Sequence, residues 1–145
     1  MRIARLLTAV GLVWALALAF SVSPKAQGQM SDDDFDKLMK SVGQTSGSIR
    51  KNTEGAMMDG VAADATKMAG LMKDNMTFWT QRKNQEAADW AKSAMDHATA
   101  LAKSATAKDA AGVAEHSKGL GGTCQTCHMK NRDKAADGTY MIKKS

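Results

Sequence analysis

Both cysteines of the chain lie in one short segment, Cys124-Gln125-Thr126-Cys127-His128. A Cys-x-x-Cys-His sequence is the attachment motif of a c-type haem, in which the two thiols form thioethers with the vinyl groups of the porphyrin. The histidine that follows the second cysteine is then held under the iron as an axial ligand. The segment therefore predicts one covalent haem c, attached by Cys124 and Cys127 and ligated by His128.

Three other kinds of site also contain paired cysteines. Structural zinc takes four nitrogen or sulfur ligands, whereas this segment offers two thiols and the other histidines are scattered. A thioredoxin-like redox pair requires alternating strands and helices, and no such alternation is visible. A disulfide is the plainest alternative for two cysteines in an exported chain. The adjacent histidine and an export signal at the amino terminus favour haem attachment.

The first residues have the composition of a secretory signal peptide. Two arginines precede an apolar run from Leu6 to Phe20, and small residues follow up to a predicted cleavage site after Gly28. We therefore assign residues 1–28 to the signal and residues 29–145 to a single domain. An uncleaved anchor is the alternative, although the run is short for a membrane span, which needs about 20 residues.

The charge of the mature domain is nearly balanced. The chain has 20 basic residues, of which three belong to the signal, and the remaining 17 face 15 acidic residues, a net charge of +2. This balance gives no indication of nucleic-acid binding, and the lysines are expected on a solvated surface, with docking to redox partner proteins as the alternative. Because c-type haem is normally attached beyond the bacterial inner membrane, we expect a periplasmic protein with no stable membrane association after cleavage.

Four helical segments account for the mature domain. Its sequence contains no proline, few β-branched residues and no alternating strand pattern of useful length. Ser31 is the predicted cap of the first helix, and the segments run over about residues 31 to 52–55, 59–79, 84–107 and 109–134. Short connections favour antiparallel neighbours, so the expected fold is all-α, an antiparallel four-helix bundle that encloses the covalently attached haem.

Helical periodicity also predicts which side chains are buried. The buried stripe of the first helix is predicted to contain Phe35, Leu38, Met39, Val42, Ser46 and Ile49. On the fourth helix, the motif cysteines extend the face that carries Val113, Ser117 and Leu120. The porphyrin is therefore expected inside the bundle, where it would supply apolar volume that the alanine- and methionine-rich stripes lack. Three glycines before the motif are expected to allow close approach of the macrocycle or a neighbouring helix, with local fraying as the alternative: Gly119, Gly121 and Gly122.

This arrangement resembles the class II cytochromes c, the cytochrome c prime superfamily. The features that carry the resemblance are the motif near the carboxyl end, the small residues Gly121-Gly122-Thr123 before it, and Arg132 four positions after the histidine. The resemblance extends from Phe35 to Lys134. It implies a contact between Arg132 and a haem propionate, with solvent as the alternative, and a homodimer formed by the first two helices.

The chain departs from the family pattern at three positions. Many members carry a polar pair on the first helix near the propionates, where this chain has Phe35 and Asp36. An aromatic residue commonly precedes the arginine after the motif, and here that residue is Asn131. These differences concern the propionate contacts and leave the iron ligands unaffected.

The family divides according to the residue that faces the iron from the first helix. An apolar residue there accompanies five-coordinate, high-spin iron, and a methionine accompanies six-coordinate, low-spin iron and electron transfer. The resemblance assigns Met39 to this distal position, and ordinary core packing is the alternative. His97 is a further candidate, whereas His116 shares a helix with the proximal ligand and cannot reach the opposite face. The stripe on the second helix is assigned to the core: Met68, Met72 and Met76.

These features predict a monohaem carrier of single electrons rather than an enzyme. No Ser-His-Asp set, paired carboxylates or phosphate-binding glycine loop is discernible in the sequence. A gas-binding protein for NO or CO is the first alternative, and it requires a distal position that is open or easily vacated. A haemless helical module closed by a Cys124–Cys127 disulfide is the second.

Overall fold

The computed structural model describes residues 28–143, which form four helices and a small sheet. The helices are α1 (Asp32–Glu54), α2 (Met58–Gln81), α3 (Gln85–Thr106) and α4 (Ala110–Asn131). They confirm the all-α, four-helix bundle. Two short antiparallel strands follow, β1 (Arg132–Lys134) and β2 (Tyr140–Ile142), and these were not predicted.

The predicted signal peptide lies outside the described residues, apart from Gly28. Within residues 28–143, no helix combines the length and the apolar composition needed to cross a membrane.

Side-chain caps fix the beginnings of three helices. The Ser31 hydroxyl accepts a hydrogen bond from the Asp34 amide at 3.1 Å, which confirms the predicted cap of α1. Asn84 caps α3 and Asp109 caps α4 in the same way. Each cap satisfies an amide that has no partner within its own helix, a contribution of about 1 kcal/mol.

The three helix connections have a common geometry. Each consists of three residues, and the middle residue adopts a left-handed conformation with φ between 53° and 58°: Ala56, Lys83 and Lys108. Connections this short require successive helices to run antiparallel. The predicted connectivity therefore follows from the turns themselves.

Apolar side chains fill the bundle in two clusters. The central core includes Met68 and Met72, which are 1% and 2% exposed, so the assignment of these two methionines to the core is confirmed. Met76, the third member of the predicted stripe, is half-buried and packs against the second cluster. The end cluster lies where α1 begins and contains Phe35 stacked on Phe78, with ring centroids 3.8 Å apart. Alanines of α3 pack closely beneath both clusters.

One buried position on α1 was predicted wrongly. Thr45 is buried, whereas Ser46 is exposed. The helix turns by about 100° per residue, so Thr45 lies on the side of α1 that meets α2 and Ser46 lies on the side towards α4. Ser46 thereby lines the candidate site.

Candidate functional site

A cleft separates the first helix from the last. Helix α2 packs on both α1 and α3, and α3 packs on α4, but α1 and α4 scarcely touch. The space between them has a volume of about 590 Å³ and is closed on one side by the β1–β2 hairpin. It is lined by Ser46 of α1, by Cys124 and His128 of α4, and by Arg132 and Tyr140 of the hairpin.

The attachment motif lies in the last two turns of α4, beside this cleft. Cys124 and His128 line the cleft, whereas Cys127 is rotated towards the side of α4 that faces α3. At 3.6 residues per turn, the three side chains leave the helix within an arc of about 100°. Both thiols are free and partly buried. The structure thus brings two of the three motif side chains directly to one cavity.

The surroundings of the motif keep its side chains uncharged. Burial raises the pKa of the Cys124 thiol, and burial raises the pKa of Cys127 to about 11. Redox-active cysteines have lowered pKa values, so these thiols do not resemble a thioredoxin-like pair. Burial, followed by the nearby Arg132 guanidinium, lowers the pKa of His128. A neutral imidazole is the form that binds a metal.

Asn131 fixes the end of the motif helix to the bundle. Its side-chain amide donates to the Cys127 carbonyl at 3.2 Å and lies 3.8 Å from the Cys127 sulfur. Its oxygen accepts a hydrogen bond from Asn84 at 3.0 Å, and Asn84 also caps α3. Asn131 therefore orients the second motif cysteine.

Met39 lies at the depth of the motif, on the helix across the cleft. Asp32 pairs with Arg82 and Asn131 bonds to Asn84, so the start of α1 and the end of α4 are at the same end of the bundle. At 1.5 Å per residue, Met39 and Cys124 are each about 10 Å from that end. Both pack against the central core. Met39 is half-buried and is not among the residues that line the cleft.

The two remaining histidines lie elsewhere. His97 of α3 and His116 of α4 have ring centroids 5.9 Å apart, and neither lines the cleft. The imidazole of His97 rests against the bare backbone of Gly119, where a Cβ atom would overlap the ring. Gly119 therefore allows a side chain of the neighbouring helix to approach closely. Close approach was one of the two roles predicted for these glycines. In contrast, Cβ atoms at Gly121 and Gly122 would meet no atom within 4 Å.

Gly119 gives a testable consequence for stability. We expect Gly119→Ala to lower the free energy of unfolding by about 1 kcal/mol, because displacing the His97 ring outweighs the gain in helix propensity. Gly70→Ala is the matched control, since a Cβ atom there meets open space within α2. It is expected to raise stability by up to about 1 kcal/mol. Urea denaturation of the two variants measures both changes, and a stabilised Gly119→Ala protein would contradict the packing argument.

The donor set fits a haem better than a bare metal ion. No group of three or more His, Cys, Asp or Glu side chains within residues 28–143 is close enough to hold a metal ion. A haem iron needs only one or two protein ligands, because the porphyrin supplies the others. The cleft is within the range of ligand pockets, about 300–1,000 Å³, and the bare backbone of Gly121 adds free space to its wall.

The hairpin was missed from the sequence, although one of its residues, Arg132, was a predicted site residue. Tyr140 lines the cleft, and its ring centroid is 4.0 Å from the Arg132 guanidinium carbon. Predicted α4 extended to Lys134, but the helix ends at Asn131, where the backbone of Arg132 becomes extended. The available signal was Asp137-Gly138 before Tyr140, because Asp-Gly is a frequent hairpin turn. Gly138 has φ +86° in that turn.

Comparison with known proteins gives no relative of this chain: no family model, curated protein or solved structure matches it.

Proposed function

We propose that the chain is a monohaem c-type cytochrome that carries single electrons between redox partner proteins. The observation that carries the proposal is the cleft between α1 and α4, which Cys124 and His128 both line. Cys124 and Cys127 would form the thioethers to the vinyl groups. Further support is the position of Met39 and Cys124 at one depth of the bundle, on the two helices that border the cleft.

Each site residue has a distinct task in this proposal. When bound, haem c supplies an iron that gains or loses one electron. His128 would bind the iron through its neutral imidazole, and Met39 is the proposed ligand on the other face. A methionine sulfur raises the reduction potential relative to a second histidine. If His128 and Met39 both hold the iron, small substrates would have no free site there, and we propose electron transfer without enzymatic turnover.

Arg132 is the proposed partner of a haem propionate. Its guanidinium stacks over Tyr140 and also borders the cleft. A guanidinium that stacks through its face keeps its N–H edge available to bind a carboxylate in two-point fashion. The Tyr140 stack would therefore orient Arg132 for this contact.

The same proposal covers location and assembly. From the sequence, we also propose that the chain belongs to the class II cytochromes c. We propose that residues 1–28 export it to the periplasm. A homodimer through α1 and α2 also rests on the resemblance alone.

A second candidate, a gas-binding protein for NO or CO, is favoured by one observation. Met39 packs against the core and does not border the cleft. If this side chain stays there when the cofactor is bound, the distal side of the iron remains open to a small ligand.

Cofactor content tests the proposal directly. The full chain, produced in a bacterial host with a cytochrome c maturation system, is expected to carry one covalent haem by intact mass. Its pyridine haemochrome spectrum is expected to be that of a haem attached by two thioether bonds. Redox titration is expected to show reversible one-electron reduction. A colourless protein of unmodified mass would contradict the proposal and favour the haemless module.

A further inference from the structure

Exposed apolar side chains are concentrated at the carboxyl end of the described chain. Met129, Tyr140 and Met141 are 65%, 56% and 49% exposed. The other large exposed apolar residue within residues 28–143 is Met57, in the α1–α2 turn at the opposite end of the bundle. Clustered exposed apolar residues commonly mark sites of interaction. We call residues 129–143, the end of α4 with the hairpin, the hairpin surface.

The same segment is rich in basic residues. The hairpin surface contains two acidic residues, Asp133 and Asp137, and twice as many basic ones, Lys130, Arg132, Lys134 and Lys143. None of these four bases forms an ion pair with another described residue. Asp137 accepts hydrogen bonds from the backbone and hydroxyl of Thr139 within the turn. The surface therefore has an excess of unpaired positive charge.

The acidic start of α1 lies at the same end of the bundle but is mostly neutralised by its own neighbours. Three of its four carboxylates are paired, in the pairs Asp32 with Arg82, Asp34 with Lys37 and Asp36 with Lys40. These local pairs leave the lysines of the hairpin surface, Lys130, Lys134 and Lys143, available to a partner, whereas Arg132 is the proposed partner of a haem propionate.

The hairpin is anchored, so the surface is preformed. Ile142 packs against the end cluster beside Phe35, and the Lys143 amide donates to the Asn131 carbonyl at 2.8 Å. Arg132 is held over the Tyr140 ring. A surface ordered before binding loses less conformational entropy when a partner docks.

The hairpin surface is continuous with the candidate site. Met129, Lys134 and Tyr140 are exposed to solvent and also line the cleft that contains Cys124 and His128. A partner bound to this surface would therefore cover the opening of the cleft. For an electron carrier, an electron would travel the shortest distance between the candidate site and a partner bound at this position.

We propose that the hairpin surface docks an acidic partner protein, with carboxylates around an apolar patch. This inference deepens the proposed function and rests on it only for the redox character of the partner. Unpaired bases around exposed methionine and tyrosine complement such a face in charge and in polarity. The interspersed Asp133 and Asp137 fit the mixed charges of a protein better than a uniformly anionic lipid surface, to which they add repulsion.

Amide chemical shifts test the docking with or without a cofactor. The ¹⁵N-labelled full chain is titrated at low salt with plastocyanin, a small acidic copper protein, in its diamagnetic reduced form. Wild-type shifts are expected within residues 129–143 and are expected to disappear at high salt, where charges are screened. Lys130→Gln, Lys134→Gln and Lys143→Gln combined are expected to weaken binding about tenfold. The matched control combines Lys67→Gln, Lys73→Gln and Lys103→Gln, three exposed lysines outside the hairpin surface, and is expected to change affinity less than twofold.

The outcomes separate this proposal from the others. Equal weakening in both triple variants, or shifts outside the hairpin surface, would overturn it. Vesicles of phosphatidylserine and phosphatidylcholine form a second arm, and charge-dependent binding to vesicles without binding to plastocyanin would overturn it in favour of a membrane. A protein that lacks haem but binds plastocyanin through residues 129–143 would retain the docking surface and reject the proposed function.

Discussion

The double substitution Cys124→Ala with Cys127→Ala is expected to abolish covalent haem and to give a destabilised, largely colourless protein. The physical reason is that these thiols are the only groups in the chain that can form the two thioethers. The cleft that Cys124 lines separates two helices that otherwise scarcely touch. A cofactor bridging them would stabilise the bundle by binding only the folded chain, an effect of at least about 3 kcal/mol for a tightly held ligand.

The measurements are intact mass, haemochrome content and thermal unfolding followed by circular dichroism. Gln125→Ala is the matched control, because Gln125 lies between the two cysteines and also lines the cleft, is exposed, and has no thiol with which to attach a haem. It is expected to keep one covalent haem and wild-type stability within about 0.5 kcal/mol. Covalent haem retained in the double variant would show that the attachment lies elsewhere, and equal stability of the two proteins would contradict a bridging role for the cofactor.

Much of the bundle was predictable because its signals are local. Ser31 followed by three aspartates specifies the start of α1, and the spacing of Phe35, Leu38 and Val42 specifies its buried face. The motif could be found from the sequence because its chemistry is contained within five adjacent residues. Helix geometry alone predicted all three motif side chains on one face, and two of them, Cys124 and His128, line the cleft.

The remaining features depend on tertiary structure. Thr45 and Ser46 are adjacent in the sequence, and only the packing of α2 against α1 determines which of them is buried. The strands of the hairpin have three residues each, too few to show an alternating pattern in the sequence. The hairpin is held by packing of Ile142 against the end cluster, whose members come from distant parts of the chain. The opening between α1 and α4 likewise depends on how all four helices pack. The prediction of a porphyrin inside the bundle rests on the sequence, whereas the observed space lies along one side.

The distal ligand decides between the carrier and the gas-binding protein. In the holoprotein, both Met39→Leu and Met39→Ala are expected to convert low-spin iron to high-spin iron, with loss of the far-red sulfur charge-transfer band. Leucine keeps the apolar bulk of methionine, so the free energy of unfolding is expected to fall by less than about 1.5 kcal/mol. In Met39→Ala, CO no longer competes with a bound sulfur, and its affinity is expected to rise at least about tenfold.

Met76→Leu and Met76→Ala are the matched controls for these changes. Met76 is half-buried like Met39 and packs against the end cluster from α2. Loss of its side chain costs packing energy without removing the proposed ligand, so both controls are expected to keep low-spin spectra and wild-type CO affinity. If the wild-type iron is already high-spin and binds CO as tightly as Met39→Ala, Met39 has only a packing role. The open cleft beside His128 is then a gas-binding site, and the attachment chemistry of the two cysteines stands unchanged.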